Sequence, residues 1–269
     1  MDCAGGEQRS TPAWIRIAIG FVTNFFDTLG VGSYATTTTI FRFLKTVDDR
    51  VIPGTLTIGH TLPTTLQAFI YITIVRVDMA TLVSMIASAV SGALLGAGVV
   101  ARWPRRKVQL GMGCALLIAV SIIFLRQVAD LQKEAGPLGL HGNLLLIGVC
   151  VNFLLGVIMT IGVGLYAPCM VLTSLLGMQS TAAFPIMMGS CAFLMPLAGL
   201  RFMKAESFSS PAAVGLTLGG LPGVALAAWL VTSLPVRTIN WLIIVVVLYT
   251  AISMIVAATR DTPKPQVRP

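Results

Sequence analysis

The sequence predicts an all-α polytopic membrane protein of two inverted repeats, each a re-entrant or broken-helix hairpin plus three transmembrane helices. Three observations lead there. Apolar residues make up 56% of the chain and charged residues 10%, with a mean hydropathy of +0.89. A soluble domain carries about 25% charged residues, so this chain cannot cover itself with a water-compatible surface. Windows such as 79–101, 107–125, 211–233 and 238–258 hold the roughly 20 apolar residues that cross a bilayer. The chain also repeats itself: "GVGSYA" at 30–35 returns as "GVGLYA" at 162–167.

The elements follow in order. Residues 1–12 are a tail expected in the cytoplasm. The first apolar segment lacks a convincing small-residue cleavage site and is read as retained, not as a signal peptide. Residues 13–45 enter the membrane and turn back at Gly30 and Gly32, which permit a break and close backbone approach. A helix led by Pro53 and interrupted at Pro63 holds Gly59-His60-Thr61, and 79–101 and 107–125 complete a first repeat, 13–126. The longest polar interruption, 126–141, lies near the midpoint and supplies a linker, 127–141. The second repeat, 142–260, takes the same steps. A hairpin at 142–177 is followed by a helix in which Pro185 and Pro196 flank Gly189-Ser190-Cys191, then by two spans and a cytoplasmic tail, 261–269.

The duplication extends beyond the glycines. Pro53 stands opposite Pro185, and Gly92, Pro104 and Arg106 stand opposite Gly223, Pro235 and Arg237, all 131 or 132 residues apart. A shorter echo pairs Asn24-Phe25 with Asn152-Phe153. Four plain crossings per half would divide the basic residues almost evenly between the two faces. With 13–45 and 142–177 as hairpins, each half crosses three more times. Only Arg76, Arg126, Lys133 and Arg237, of 18 basic residues, then remain outside. That agrees with the positive-inside tendency and favours inversion. Such internal symmetry is characteristic of transporters that bind where the repeats meet.

Several functions are disfavoured. Net charge is +8, but the basic residues sit at the ends of apolar segments, where they set topology, so no nucleic-acid partner is expected. The five cysteines lack CxxC spacing, which supports neither a disulfide framework nor a metal site. No acid–nucleophile–base constellation, nucleotide-binding motif or phosphate loop appears, so no enzyme, cofactor or primary pump is expected.

The repeated phrase has a chemical use. A break leaves unpaired N–H groups and partial positive charge at the start of the next half-helix. Two such ends, one per half, would hold an anion without a buried lysine. The expected substrate-binding residues are Asn24, Gly30, Gly32, Ser33, Tyr34, Thr36, Thr37 and His60 in the first half. In the second they are Asn152, Gly162, Gly164, Tyr166 and Ser190. Asp27 stands well inside an apolar segment and His60 titrates near neutral pH, so both are assigned to proton coupling. Glycine, serine and threonine also serve helix packing, which is the plainer role for any one of them.

The glycine-rich turn, the proline-led second helix and the "G…LP.R" ending, all duplicated, resemble the TauE/SafE sulfite exporter family, of the 4-toluene sulfonate uptake permease group. The resemblance spans about 13–258 and implies a multi-pass protein of the bacterial inner membrane, both termini cytoplasmic. It implies export of sulfite or a small organosulfonate. The family's glycine turns fall on Gly30, Gly32, Gly162 and Gly164, and its third-helix ends on Gly92 with Pro104 and Gly223 with Pro235. The chain departs from the family in "GVGS" and "GVGL", in Thr36–Thr39 and in Asp27. The expected partners are the anion and membrane lipid, with a homodimer as the assembly considered. The alternatives are a transporter or channel for another small solute or a cation, or a non-transporting scaffold.

Overall fold

The computed structural model describes residues 11–100, 105–129, 136–159 and 164–260. Most of the N-terminal tail, the C-terminal tail, Pro104, residues 130–135 of the linker and Gly162 lie outside the described residues. Within them the chain is helical, with no strand. The helices are α1 (Ala13–Thr28), α2 (Ser33–Leu44), α3 (Ile52–Ile74), α4 (Met79–Val100), α5 (Arg105–Val128), α6 (Gly142–Met159), α7 (Tyr166–Leu175), α8 (Ala183–Lys204), α9 (Ser210–Thr232) and α10 (Val236–Arg260). Five stretches, in α5, α6, α8, α9 and α10, are long and apolar enough to cross a membrane. Large apolar side chains such as Phe69, Leu95, Ile118, Trp229 and Val245 face outward, as lipid requires and water does not. The chain is a multi-pass membrane protein.

Helices α1 and α2 have 16 and 12 residues, about 24 and 18 Å at 1.5 Å per residue. Each is shorter than the ~30 Å hydrocarbon core. They fold back on each other at Leu29–Gly32, where φ is +98° at Gly30 and +85° at Gly32, values that glycine tolerates and other residues resist. The Ser33 amide reaches back to Asp27, and one turn further from the bend His60 touches both Asn24 and Thr37. Ile19 and Phe41, near the open end, share one apolar cluster. The second half also folds back: Gly148, early in α6, lies against Leu176, just past the end of α7.

Each hairpin packs on a helix of the other half. Gly20, Phe21 and Asn24 of α1 meet Leu216, Gly223 and Gly220 of α9, running in the same direction. In the other half Asn152, Phe153 and Gly156 of α6 meet Met85, Gly92 and Ala89 of α4, also running together. Helices α3 and α8 cross in opposite directions, from Gly54 beside Phe202 to Tyr71 stacked on Phe184.

These contacts correct the expected pairing of Asn24 with Asn152. Leu216 and Met85 are 131 apart, so Gly20 on Leu216 corresponds to Asn152 on Met85. By the same register Asn24 on Gly220 corresponds to Gly156 on Ala89. The short echo is displaced by four residues, about one helical turn, which keeps the same helix face and so mimics a true match.

The proline-flanked helices are continuous rather than broken. Pro53 and Pro185 stand in the first turns of α3 and α8, where no helical N–H is needed. Pro63 and Pro196 lie inside α3 and α8. Pro63 deprives the Gly59 carbonyl of its helical donor, and the Thr217 hydroxyl of α9 supplies one at 2.8 Å.

The two ends of the bundle differ. At one, the connection before α3 meets that before α9, the Ser209 amide bonding Thr55 at 2.8 Å. At the other, the Asp78 amide bonds the Leu138 carbonyl at 2.9 Å and the Gln179 amide that of Pro137 at 3.1 Å. There the Thr81 amide and hydroxyl, both 2.9 Å from Asp78, hold its carboxyl below the usual carboxylate range.

Candidate functional site

The centre of the bundle holds a polar cluster drawn from both halves. On α3, Thr57, His60, Thr64, Gln67 and Tyr71 recur at intervals of three and four, so they form one stripe along one face. All five are buried. The stripe lowers the hydropathy of α3, a helix of 23 residues.

Asp27 anchors the upper level of the cluster and is 2% exposed. Its Oδ1 accepts from the Ser33 amide, at the start of α2, and its Oδ2 accepts from Gln67 Nε2 at 3.0 Å. The same Gln67 nitrogen donates to Thr28 Oγ1 at 2.9 Å. Its Oε1 therefore faces the other way and accepts from the Tyr166 hydroxyl at 3.1 Å. Tyr166 begins α7, so this bond joins the two halves. The Ser33 hydroxyl, Tyr166 and Cys191 also lie around the carboxylate.

One turn lower sits His60. Asn24 donates Nδ2 to the Gly20 carbonyl at 2.8 Å, so its Oδ1 is free to accept from His60 Nδ1 at 3.0 Å. Nε2 then accepts from the Thr37 hydroxyl at 3.1 Å. A neutral imidazole satisfies both contacts. Tyr34 lies beside the ring, with centroids 6.2 Å apart, and its hydroxyl donates to Thr57 at 3.1 Å.

The expected residues thus divide. Asn24, Asp27, Ser33, Tyr34, Thr37, His60 and Tyr166 come together. Gly30 and Gly32 form the bend beside them, Gly30 against Met170 and Val246 of the other half. A Cβ at Gly32 or at Gly164 would meet nothing within 4 Å, so both glycine-rich turns border open space. Thr36 returns its hydroxyl to the Gly32 and Ser33 carbonyls at 3.2 and 2.9 Å. Ser190 donates to the Ile186 carbonyl of its own helix at 2.7 Å. Asn152 sits apart, donating to the Met85 carbonyl at 2.7 Å where α6 meets α4. Gly162 is outside the described residues.

Gln67, Thr28, Thr57 and Thr64 complete the cluster and escape a motif-based search. For the three on α3 the signal is the three-and-four spacing of polar residues along 57–71, which marks a buried polar face. The donors expected to stand ready for an anion are already used inside the protein. The Ser33 amide is bound to Asp27, so the start of α2 already has a carboxylate at its positive end.

Compared with protein-family models, with curated proteins and with solved structures, the chain matches none.

Proposed function

We propose that the protein is a secondary transporter for a small sulfur oxyanion, sulfite or a compact organosulfonate, bound between the two hairpin turns. The carrying observation is the cluster in which Asp27 and Gln67 of one half meet Tyr166 of the other, beside open space at Gly32 and Gly164. Irregular backbone at membrane depth is tolerated where protein or a water-filled cavity surrounds it, and transporters place their sites at such breaks. To receive an oxyanion, the hydroxyls of Tyr34, Thr36 and Tyr166 would turn away from Thr57, the Gly32 and Ser33 carbonyls and Gln67, which they now serve, and the Ser33 hydroxyl would join them. The resemblance to the TauE/SafE sulfite exporters supplies the substrate class and the expectation of export.

The inverted arrangement belongs to the same proposal. Opposite directions in α3 and α8, with matched packing of α1 on α9 and α6 on α4, support it. So does the gathering of Arg42, Lys45, Arg50, Arg201 and Lys204 toward one end of the bundle. That end is assigned to the cytoplasm.

One observation favours a second reading, transport of a cation: Asp27 is a buried acid, and the only ion pair among the described residues is Arg42 with Asp49. Purified protein in sealed vesicles separates the two. Saturable, protein-dependent flux of labelled sulfite or a sulfonate, but not of sodium or potassium, is expected. Cation flux without anion flux would replace the first reading with the second.

A further inference from the structure

The geometry points to Gln67 as a positioning residue that transmits the ionisation of Asp27, in one hairpin, to Tyr166, in the other. This deepens the transporter assignment and rests on it for its purpose, but the switch itself is a property of the bare protein.

A carboxylate only accepts, and an amide side chain has one donating end and one accepting end. With Asp27 ionised, Gln67 must turn Nε2 toward Oδ2, 3.0 Å away, and toward Thr28, 2.9 Å away. Oε1 is then forced toward Tyr166, whose hydroxyl donates to it at 3.1 Å. When Asp27 Oδ2 takes up a proton from water, it becomes a donor facing a donor. A half-turn of the Gln67 amide resolves the conflict: Oδ2–H donates to Oε1, while Oδ1 keeps the Ser33 amide. The Thr28 hydroxyl, which now donates to the Asn24 carbonyl at 2.8 Å, can turn to donate to Oε1 as well. Nε2 then points at Tyr166, which must accept rather than donate, and its hydroxyl proton turns toward Thr64, the other hydroxyl beside it. The bond from Thr28 to the Asn24 carbonyl is exchanged for one from Tyr166 to Thr64, one proton is gained, and the polarity of the link between the halves reverses. Leaving the conflict in place would bury opposed donors, which is costly at such depth.

The surroundings leave Asp27 as the group that drives the change. Ser33 and Tyr34 face it from α2, Gln67 from α3 with His60 one turn below, Tyr166 from α7 and Cys191 from α8. Helix α9 reaches this level with Gly220 against Asn24, and α10 with Val246 against Gly30. None of these is a permanently charged base. In a transporter, the reversal would tie the presence of a proton to the pose of the second hairpin, which is what coupling requires.

The test needs no substrate. Fluorotyrosine is placed at position 166, and in a second sample at position 34, in full-length protein held in lipid nanodiscs. Fluorine resonances are then followed from mildly alkaline to acidic pH. The 166 resonance should shift with a single titration that matches the carboxyl stretch of Asp27 in infrared spectra, while the 34 resonance, near the carboxylate but not bonded to Gln67, moves less. In Asp27→Asn the shift at 166 should vanish. In Gln67→Met, of similar shape but without an amide, Asp27 should still titrate in the infrared but the shift at 166 should be lost. Gln67→Leu serves where the methionine variant does not fold. A shift at 166 unchanged in the Gln67 variants, or absent from the parent protein, overturns the proposal. Failure of sulfite flux in vesicles would instead overturn the transporter assignment and leave this result standing.

Discussion

Gly32 and Gly164 hold matching places in the two turns, yet they constrain the chain differently. Gly32 has φ of +85°, a conformation that costs other residues about 1–3 kcal/mol; Gly164 does not have this constraint, and both face open space. Gly32→Ala should therefore lower unfolding stability in detergent by about that amount, while Gly164→Ala should unfold like the parent protein. A loss of anion flux in Gly164→Ala would then report on the site itself and not on strain. The asparagines also separate. Asn24→Ala strands His60 Nδ1 in a fully buried place and should cost about 1–3 kcal/mol. Asn152→Ala removes one bond from a side chain whose Oδ1 already has no partner, and should cost about 0.5–1.5 kcal/mol. Equal losses in thermal unfolding would count against the different roles given to the two. Asp27, His60 and the paired tyrosines were legible in the sequence because they break an apolar pattern or recur. Gln67 was not, since a lone glutamine carries no motif and its importance comes from what two separate helices bring to it.

At the scale of elements, close packing depends on small residues that admit a neighbour's backbone. A Cβ at Gly156 would run into the Ala89 carbonyl, and one at Gly92 into that of Phe153. Backbone cannot move aside as a side chain can, so alanine at either position should cost about 1–3 kcal/mol. Gly111 of α5 meets nothing within 4 Å; there alanine should leave stability unchanged or raise it by up to about 1 kcal/mol, through better helix propensity. Unfolding midpoints for the three variants check this ordering. The hairpins and long helices were readable from hydropathy and from glycine at the bends. The register between halves was carried by the glycine phrase and the prolines, 131 or 132 apart, whereas the asparagine echo at 128 misled, because a slip of one helical turn preserves a face. Continuity of α3 and α8 was hidden: proline announces a break, but both helices run on, and in α3 Thr217 of another helix supplies the donor that Pro63 lacks.

Across the whole molecule, the two ends carry unequal charge. The connection from α2 to α3, with Lys45 and Arg50, lies beside that from α8 to α9, while the end marked by Asp78 and Leu138 brings Arg76. Helix α4 starts at the latter end and runs alongside α6 toward the former, where α5 begins with Arg106 and Lys107 near its start. Trp103→Cys and Ala205→Cys, on a background lacking accessible native cysteines, should be labelled by a membrane-impermeant reagent from the same face, the cytoplasmic one. Labelling from opposite faces would sink the proposed orientation. The sequence alone carried this expectation through its charge count, since charge at helix ends is a local property that no tertiary contact needs to reveal.

The crossed packing of the hairpins has a consequence for how the protein is made. Helix α1 leaves the ribosome nearly 200 residues before Leu216 and Gly223, the α9 groups its small face receives, have been synthesised. During that interval a hairpin too short to span the membrane, carrying Asn24 and Asp27, has no mate. The first half, expressed to residue 141, should therefore be degraded or held by chaperones when alone. It should accumulate only when 142–269 is supplied in the same cell, each fragment completing the other's packing.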